Sequence, residues 1–84
     1  MTEKIRTVLV EPEEISLKLI KKYLEQVEDI EIIGTFKSIK SANDFIFNNK
    51  PDFIIADISE NSQKNIDGIK KIQNQLRKTK IIQL

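Results

Sequence analysis

Two short apolar runs without polar alternation constrain this chain more than any other feature. Ile5–Val10 closes on Thr7-Val8-Leu9-Val10, and Phe53–Ile58 is almost wholly apolar. A strand with one face in water alternates apolar and polar residues, whereas a run apolar on both sides suits a strand covered on both faces of a parallel sheet. Parallel strands need long crossovers, and the segments between these runs have the length and periodicity of helices.

Glu13–Val27 predicts the first helix. Ile15, Leu19, Ile20, Tyr23, Leu24 and Val27 recur at helical spacing and, with Leu17, span an arc of roughly 200°. Such a broad arc predicts a helix packed closely on a sheet. Pro12 sits just before it, and Glu13 and Glu14 fall in its first turn, where the helix dipole favours negative charge. Ile30–Phe36 predicts a second strand with Gly34 near its end. Ser38–Asn48 predicts a short helix with the stripe Ile39, Ala42 and Ile46, ended by Asn48, Asn49 and Pro51. After Phe53–Ile58, a polar loop is expected over Ser59–Asn65. Asp67 is expected to N-cap a third helix running to about Lys78, with Ile69, Ile72 and Leu76 on one face. Lys80–Leu84 starts a fourth strand.

The order β-α-β-α-β-α-β implies an α/β fold with a parallel sheet and right-handed crossovers. Sites in such sheets form at the carboxyl ends of the strands, near the switch in strand order. Two acidic spots fall there: Glu11–Glu14 after the first strand and Asp57 at the end of the third.

Composition removes several function classes. Eighty-four residues make one small domain, here residues 1–84, with 39% hydrophobic and 32% charged residues, an ordinary globular balance. Fourteen Lys and Arg against 13 Asp and Glu give a net charge of +1, so no basic excess points to nucleic acid or an anionic membrane. There is no Cys and no His, which excludes a disulfide framework, thiolate metal sites and His-based acid–base chemistry. No signal-peptide core follows Met1-Thr2-Glu3-Lys4, and the apolar runs are far short of a membrane span. A soluble cytoplasmic protein is the expectation.

The motifs themselves resemble the receiver domains of two-component response regulators. Val8-Leu9-Val10-Glu11-Pro12-Glu13 resembles the receiver first strand and its acidic turn. Pro51-Asp52-Phe53-Ile54-Ile55-Ala56-Asp57-Ile58 is similar to the third strand, which ends in the phosphoacceptor aspartate. Ile66-Asp67-Gly68 resembles the Met-Asp-Gly that opens the third helix, and Lys80-Ile81-Ile82-Gln83-Leu84 the fourth strand. Each motif is weak alone, but the ordered set spans essentially the whole chain. The resemblance implies a flavodoxin-like doubly wound parallel sheet that lacks the last strand and last two helices of a full receiver. It implies phosphorelay signal transduction rather than enzymatic turnover, with Asp57 as phosphoacceptor from a histidine kinase or phosphotransfer protein. It also implies Mg²⁺ held by Glu11 and Asp57, because an aspartate nucleophile meeting a polyanionic phosphoryl group needs a hard cation on the equatorial oxygens. Gly34-Thr35-Phe36-Lys37 is reminiscent of receivers joined to LytTR-type DNA-binding domains, so an output domain in a longer parent chain is a further expectation.

The sequence departs from the receiver pattern in four places. Pro12 stands where the second acid of the pair usually ligates the metal, and it has no side-chain oxygen. The loop after Asp57 lacks the usual Met-Pro and is about three residues longer. The chain ends where a switch Ser or Thr would come next, and the fifth strand with its Lys is absent. Two readings therefore stay open: a phosphorylatable receiver, or a pseudo-receiver that keeps the fold as a protein–protein interaction module. Glu11 is a metal ligand in the first and only a charge at the helix start in the second. An unrelated α/β enzyme has little support, since the chain carries no Gly-rich phosphate loop and no Ser/His pair. With the fourth strand as an open edge and one sheet face short of a helix, the 84-residue species is expected either to self-associate or to be a portion of a longer protein.

Overall fold

The computed structural model describes residues 4–57 and 63–83. Four strands and three helices alternate along it: β1 (Ile5–Val10), α1 (Glu14–Glu25), β2 (Ile30–Phe36), α2 (Ile39–Asn49), β3 (Phe53–Ala56), α3 (Gln63–Gln75) and β4 (Lys80–Gln83). The strands form one sheet in the order β2-β1-β3-β4, and every pairing is parallel. From β1 the chain builds outward to β2 on one side and then to β3 and β4 on the other. The switch in direction lies between β1 and β3, and it opens the crevice where ligands of such sheets sit.

The apolar runs fill the sheet's centre. Val8 and Val10 of β1 and Ile54 and Ala56 of β3 point to one face, where they meet Ile39, Ala42 and Ile46 of α2 and Ile69 and Ile72 of α3. All nine are buried, and this is the core of the molecule. The α2 stripe is the one read from the sequence. A reciprocal capping box starts α2: Ser41 N–H donates to Ser38 Oγ at 3.0 Å, and Ser38 N–H donates to Ser41 Oγ at 3.2 Å. At its other end Lys50 takes the left-handed conformation, with φ of 45°, and donates its N–H to the Ile46 carbonyl. The Arg6 guanidinium donates to the Asn49 carbonyl at 2.8 Å and so ties this helix end to β1.

Two glycines set how closely the layers approach. A Cβ on Gly34 would stand 2.9 Å from the rings of both Phe36 and Phe45, which themselves pack with centroids 5.2 Å apart. A Cβ on Gly68 would stand 2.6 Å from Ile39 Cγ2, so α3 lies against α2 at this point because the residue is glycine.

Three expectations change. The third helix starts at Gln63, inside the segment read as loop, so Asp67 lies within α3 and is not its N-cap. The stretch 58–62 lies outside the described residues, as does the Ile58 end of the expected third strand. The helix end moves too, to Gln75 rather than Lys78. The third correction concerns α1, which buries no residue fully. It lies over β1 and β2, while Ile15, Leu19 and Tyr23 remain 69%, 64% and 72% exposed. Their side of the helix looks over β3 and β4, where no helix stands among the described residues.

Candidate functional site

Main-chain hydrogen bonds carry the β1 and β3 ladders one residue past the strands and so fix both acids. Glu11 N–H donates to the Phe36 carbonyl and Asp57 N–H donates to the Val10 carbonyl, each at 2.9 Å. Val10 pairs in register with Ala56, so Glu11 and Asp57 leave the carboxyl ends of adjacent parallel strands side by side. This is the switch-point crevice, and the structure brings together there the two residues that the sequence nominated.

Their surroundings differ. Asp57 is half-buried, whereas Glu11 is 3% exposed, enclosed by its own neighbours although it lies just beneath the surface. Burial, first, pushes the Glu11 carboxyl above its ordinary value. The Asp57 carboxyl within hydrogen-bonding reach and its charge add to this, and the charge of Glu13 adds slightly. The Glu13 backbone N–H, directed at the Glu11 carboxylate, opposes the rise. Glu11 Oε2 is fully enclosed and has no hydrogen-bond partner among the described residues. Two carboxylates can join only through a proton or a cation, because neither ionised group has anything to donate.

This orphaned oxygen is the test of whether the site suits Mg²⁺. A buried carboxylate oxygen without a donor, beside a second carboxylate, matches a hard cation's demand for oxygen ligands. The set is lean. Pro12 is exposed and offers no side-chain oxygen, and no cluster of three or more acidic side chains able to hold a metal occurs among the described residues. Glu11 and Asp57 are thus the two carboxylates here whose chemistry suits such an ion, and they are the residues that would hold it.

Sequence reasoning missed the role of the Glu13 main chain. Glu13 was read as a helix-start charge, but it is the residue just before α1 and contributes through its N–H. The signal was the tight Glu11-Pro12-Glu13 turn itself. Asp67 is not part of this pair and lines a cleft between α2 and α3 with Lys40, Asp44 and Lys71.

No family model matches this chain, and no curated protein matches it either. Solved structures do. The isolated receiver (REC) domain of RcsB from Salmonella enterica serovar Typhimurium, in the presence of phosphomimetic BeF3−, superposes with a TM-score of 0.83 at 24% identity. That alignment covers 96% of this chain and 61% of the other. The signal receiver domain of the response regulator NarL from Mycobacterium tuberculosis gives a TM-score of 0.83 at 15% identity, over 96% of this chain and 65% of that one. This chain has the receiver fold. The sheet order and the three helices are the α/β, flavodoxin-like arrangement expected from the motifs. An RcsB–DNA complex matches with the same TM-score over 42% of its chain, so this chain spans well under half of that response regulator. Among the described residues, no helix is long and apolar enough to cross a membrane.

Proposed function

We propose that this chain is a receiver module of two-component phosphorelay signalling, with Asp57 as its phosphoacceptor. The observation that carries the reading is the pairing of the Asp57 carboxylate with Glu11 at the switch point of a receiver fold. In the transfer, an oxygen of Asp57 attacks the phosphorus of a phosphohistidine on a histidine kinase or phosphotransfer protein. The O–P bond forms, the N–P bond breaks, and the leaving imidazole takes up a proton. Glu11 and Asp57 would hold Mg²⁺, which when bound supplies positive charge to the equatorial phosphoryl oxygens. The chain's own part is to fix the nucleophile by the Asp57 N–H bond to Val10 and to keep the Glu11 carboxylate against it. The reading makes the chain a signalling module, not a turnover enzyme. An output domain, DNA-binding in the RcsB complex, would receive the signal in a longer parent.

The test is incubation with a small phosphodonor and Mg²⁺, read by intact mass. The wild-type chain should gain one phosphoryl group and Asp57→Asn none.

One observation favours a second reading, the phosphorylation-independent pseudo-receiver. Pro12 removes a ligand, and the raised Glu11 carboxyl can satisfy its neighbour with a shared proton instead of a metal. On that reading the fold serves as a protein–protein interaction module, and the same incubation leaves the mass unchanged.

A further inference from the structure

At the amino ends of β3 and β4, far from the acid pair, two loops enclose a pocket of about 310 Å³. The loop from α2 to β3 brings Lys50, Pro51 and Asp52, and the loop from α3 to β4 brings Arg77, Lys78 and Thr79. Hydrogen bonds hold the two loops together. The buried Thr79 hydroxyl donates to the Pro51 carbonyl at 2.6 Å, and Lys80 N–H donates to the Asp52 carbonyl at 2.9 Å. Arg6 fixes the first loop to β1. Its main-chain N–H donates to Asp52 Oδ2 at 2.9 Å, and Asp52 N–H donates to the Arg6 carbonyl at 2.8 Å. The pocket is therefore preformed, and the elements that build it are all in place: β3 lies between β1 and β4, and the open sheet edge is on the far side of β4.

The charge here is positive. Lys50, Arg77 and Lys78 line the pocket against one carboxylate, that of Asp52. Among the described residues, none of the three cationic side chains has an ion pair or a hydrogen bond. The carbonyl ends of α2 and α3 lie beside the loops and favour cations, but each offers only about half a charge. With Asp52 they leave about one positive charge uncompensated. Lys50 adds a second observation. It holds φ at 45°, a conformation that glycine takes with less strain, and outliers of this kind cluster at functional sites.

We propose that this pocket binds the phosphate group of a small soluble molecule. A phosphate monoester carries a charge of about −1.5 to −2 near neutral pH and three strong acceptor oxygens, which suits three cationic donors. The planar Arg77 guanidinium can engage two oxygens at once, and the two ammonium groups act as point charges. The volume is that of a small-molecule site. Asp52 and Asp57 flank opposite ends of β3, about 16 Å of strand apart, so the inference is independent of Asp57 chemistry.

Amide NMR spectra of the full chain, without Mg²⁺, are followed on addition of glycerol 3-phosphate, of inorganic phosphate, and of sodium chloride at matched ionic strength. Both phosphates should shift the amides of Lys50 and residues 75–79 saturably, and chloride should not. Arg77→Gln with Lys78→Gln should weaken binding at least about tenfold. Lys50→Gly should weaken it too, although that substitution relieves backbone strain. Lys78→Glu alone replaces the double variant if circular dichroism shows the latter unfolded. Asp57→Asn should bind both phosphates as wild type does. Shifts that chloride reproduces, shifts centred elsewhere, or binding that survives the substitutions overturn the proposal. So does tighter binding of short duplex DNA or of phosphatidic acid vesicles at the same residues, which would make an extended polyanion or a membrane the ligand.

Discussion

Glu11 and Asp57 emerge side by side from neighbouring parallel strands, yet one is enclosed and the other half open. Glu11 Oε2 receives no hydrogen bond among the described residues, and its carboxyl lies within reach of another acid. Burial therefore disfavours the Glu11 anion, while the half-buried Asp57 is accessible to a donor. This division suits a site in which Glu11 shapes the charge around Asp57 and Asp57 meets the incoming group.

The first prediction follows from the direction of the Glu11 shift. Its folded-state value is raised, so in the window above the ordinary glutamate value the folded chain binds more protons than the unfolded chain. Stability then falls as pH rises through that window, and the loss is relieved at lower pH. Glu11→Gln removes the charge and keeps the shape. It should stabilise the chain at neutral pH by about 1 kcal/mol, and the gain should vanish in acid. Urea unfolding at a series of pH values measures both. An equal effect of the substitution at every pH would contradict the account.

Cation addition should mimic part of that gain. If Mg²⁺ sits between Glu11 and Asp57, thermal unfolding at neutral pH shifts upward with Mg²⁺ concentration, by mass action on the folded state. The shift should be lost in both Glu11→Gln and Asp57→Asn. A shift that survives in both variants would place the ion elsewhere.

Gly68→Ala should be destabilising although alanine is the better helix former. The added Cβ would stand 2.6 Å from Ile39 Cγ2, and overpacking of this kind costs about 1–3 kcal/mol against a propensity gain of about 1 kcal/mol. Ile39→Ala is itself destabilising in this core but removes the atom the new Cβ meets, so the double variant should lose less than the sum of the two single variants. Denaturant midpoints of the four species measure this.

Lys50→Gly should raise the melting temperature. Lys50 holds φ at 45°, a conformation that costs a residue with a Cβ about 1–2 kcal/mol and glycine little. Greater freedom of the unfolded glycine takes back part of the gain, leaving a net effect of about 0.5 kcal/mol. Calorimetry on the two chains decides the sign.

Much of this molecule was legible in its residues. The segment Ile5–Val10, closing on Thr7-Val8-Leu9-Val10, and the segment Ile30–Phe36 form strands with the bounds read for them, and Ile39, Ala42 and Ile46 form the buried stripe of α2. The proximity of Glu11 and Asp57 follows from two strand ends in a parallel sheet. What was not legible depends on neighbours distant in sequence. The left-handed turn at Lys50 carries no glycine to announce it, and its tie to Arg6 spans more than forty residues. The start of α3 lay hidden in a polar stretch where Ser59, Asn61, Ser62 and Asp67 are all capping residue types, and Asp67, just ahead of the apolar stripe, looked like the cap. The arc of α1 predicted close packing, but how much of an apolar arc is buried depends on what stands beside the helix, and periodicity carries no record of that. The orphaned Glu11 oxygen is likewise a property of the assembled crevice.

The central claim is that Asp57 accepts a phosphoryl group in a crevice completed by Glu11. Fragment mass spectrometry of the full chain after exposure to a phosphodonor, with and without Mg²⁺, locates any phosphoryl group by residue. The account predicts Mg²⁺-dependent modification at Asp57, slowed by Glu11→Gln and absent in Asp57→Asn. A chain left unmodified with the donor and Mg²⁺ both present, or modified at another residue, would contradict it.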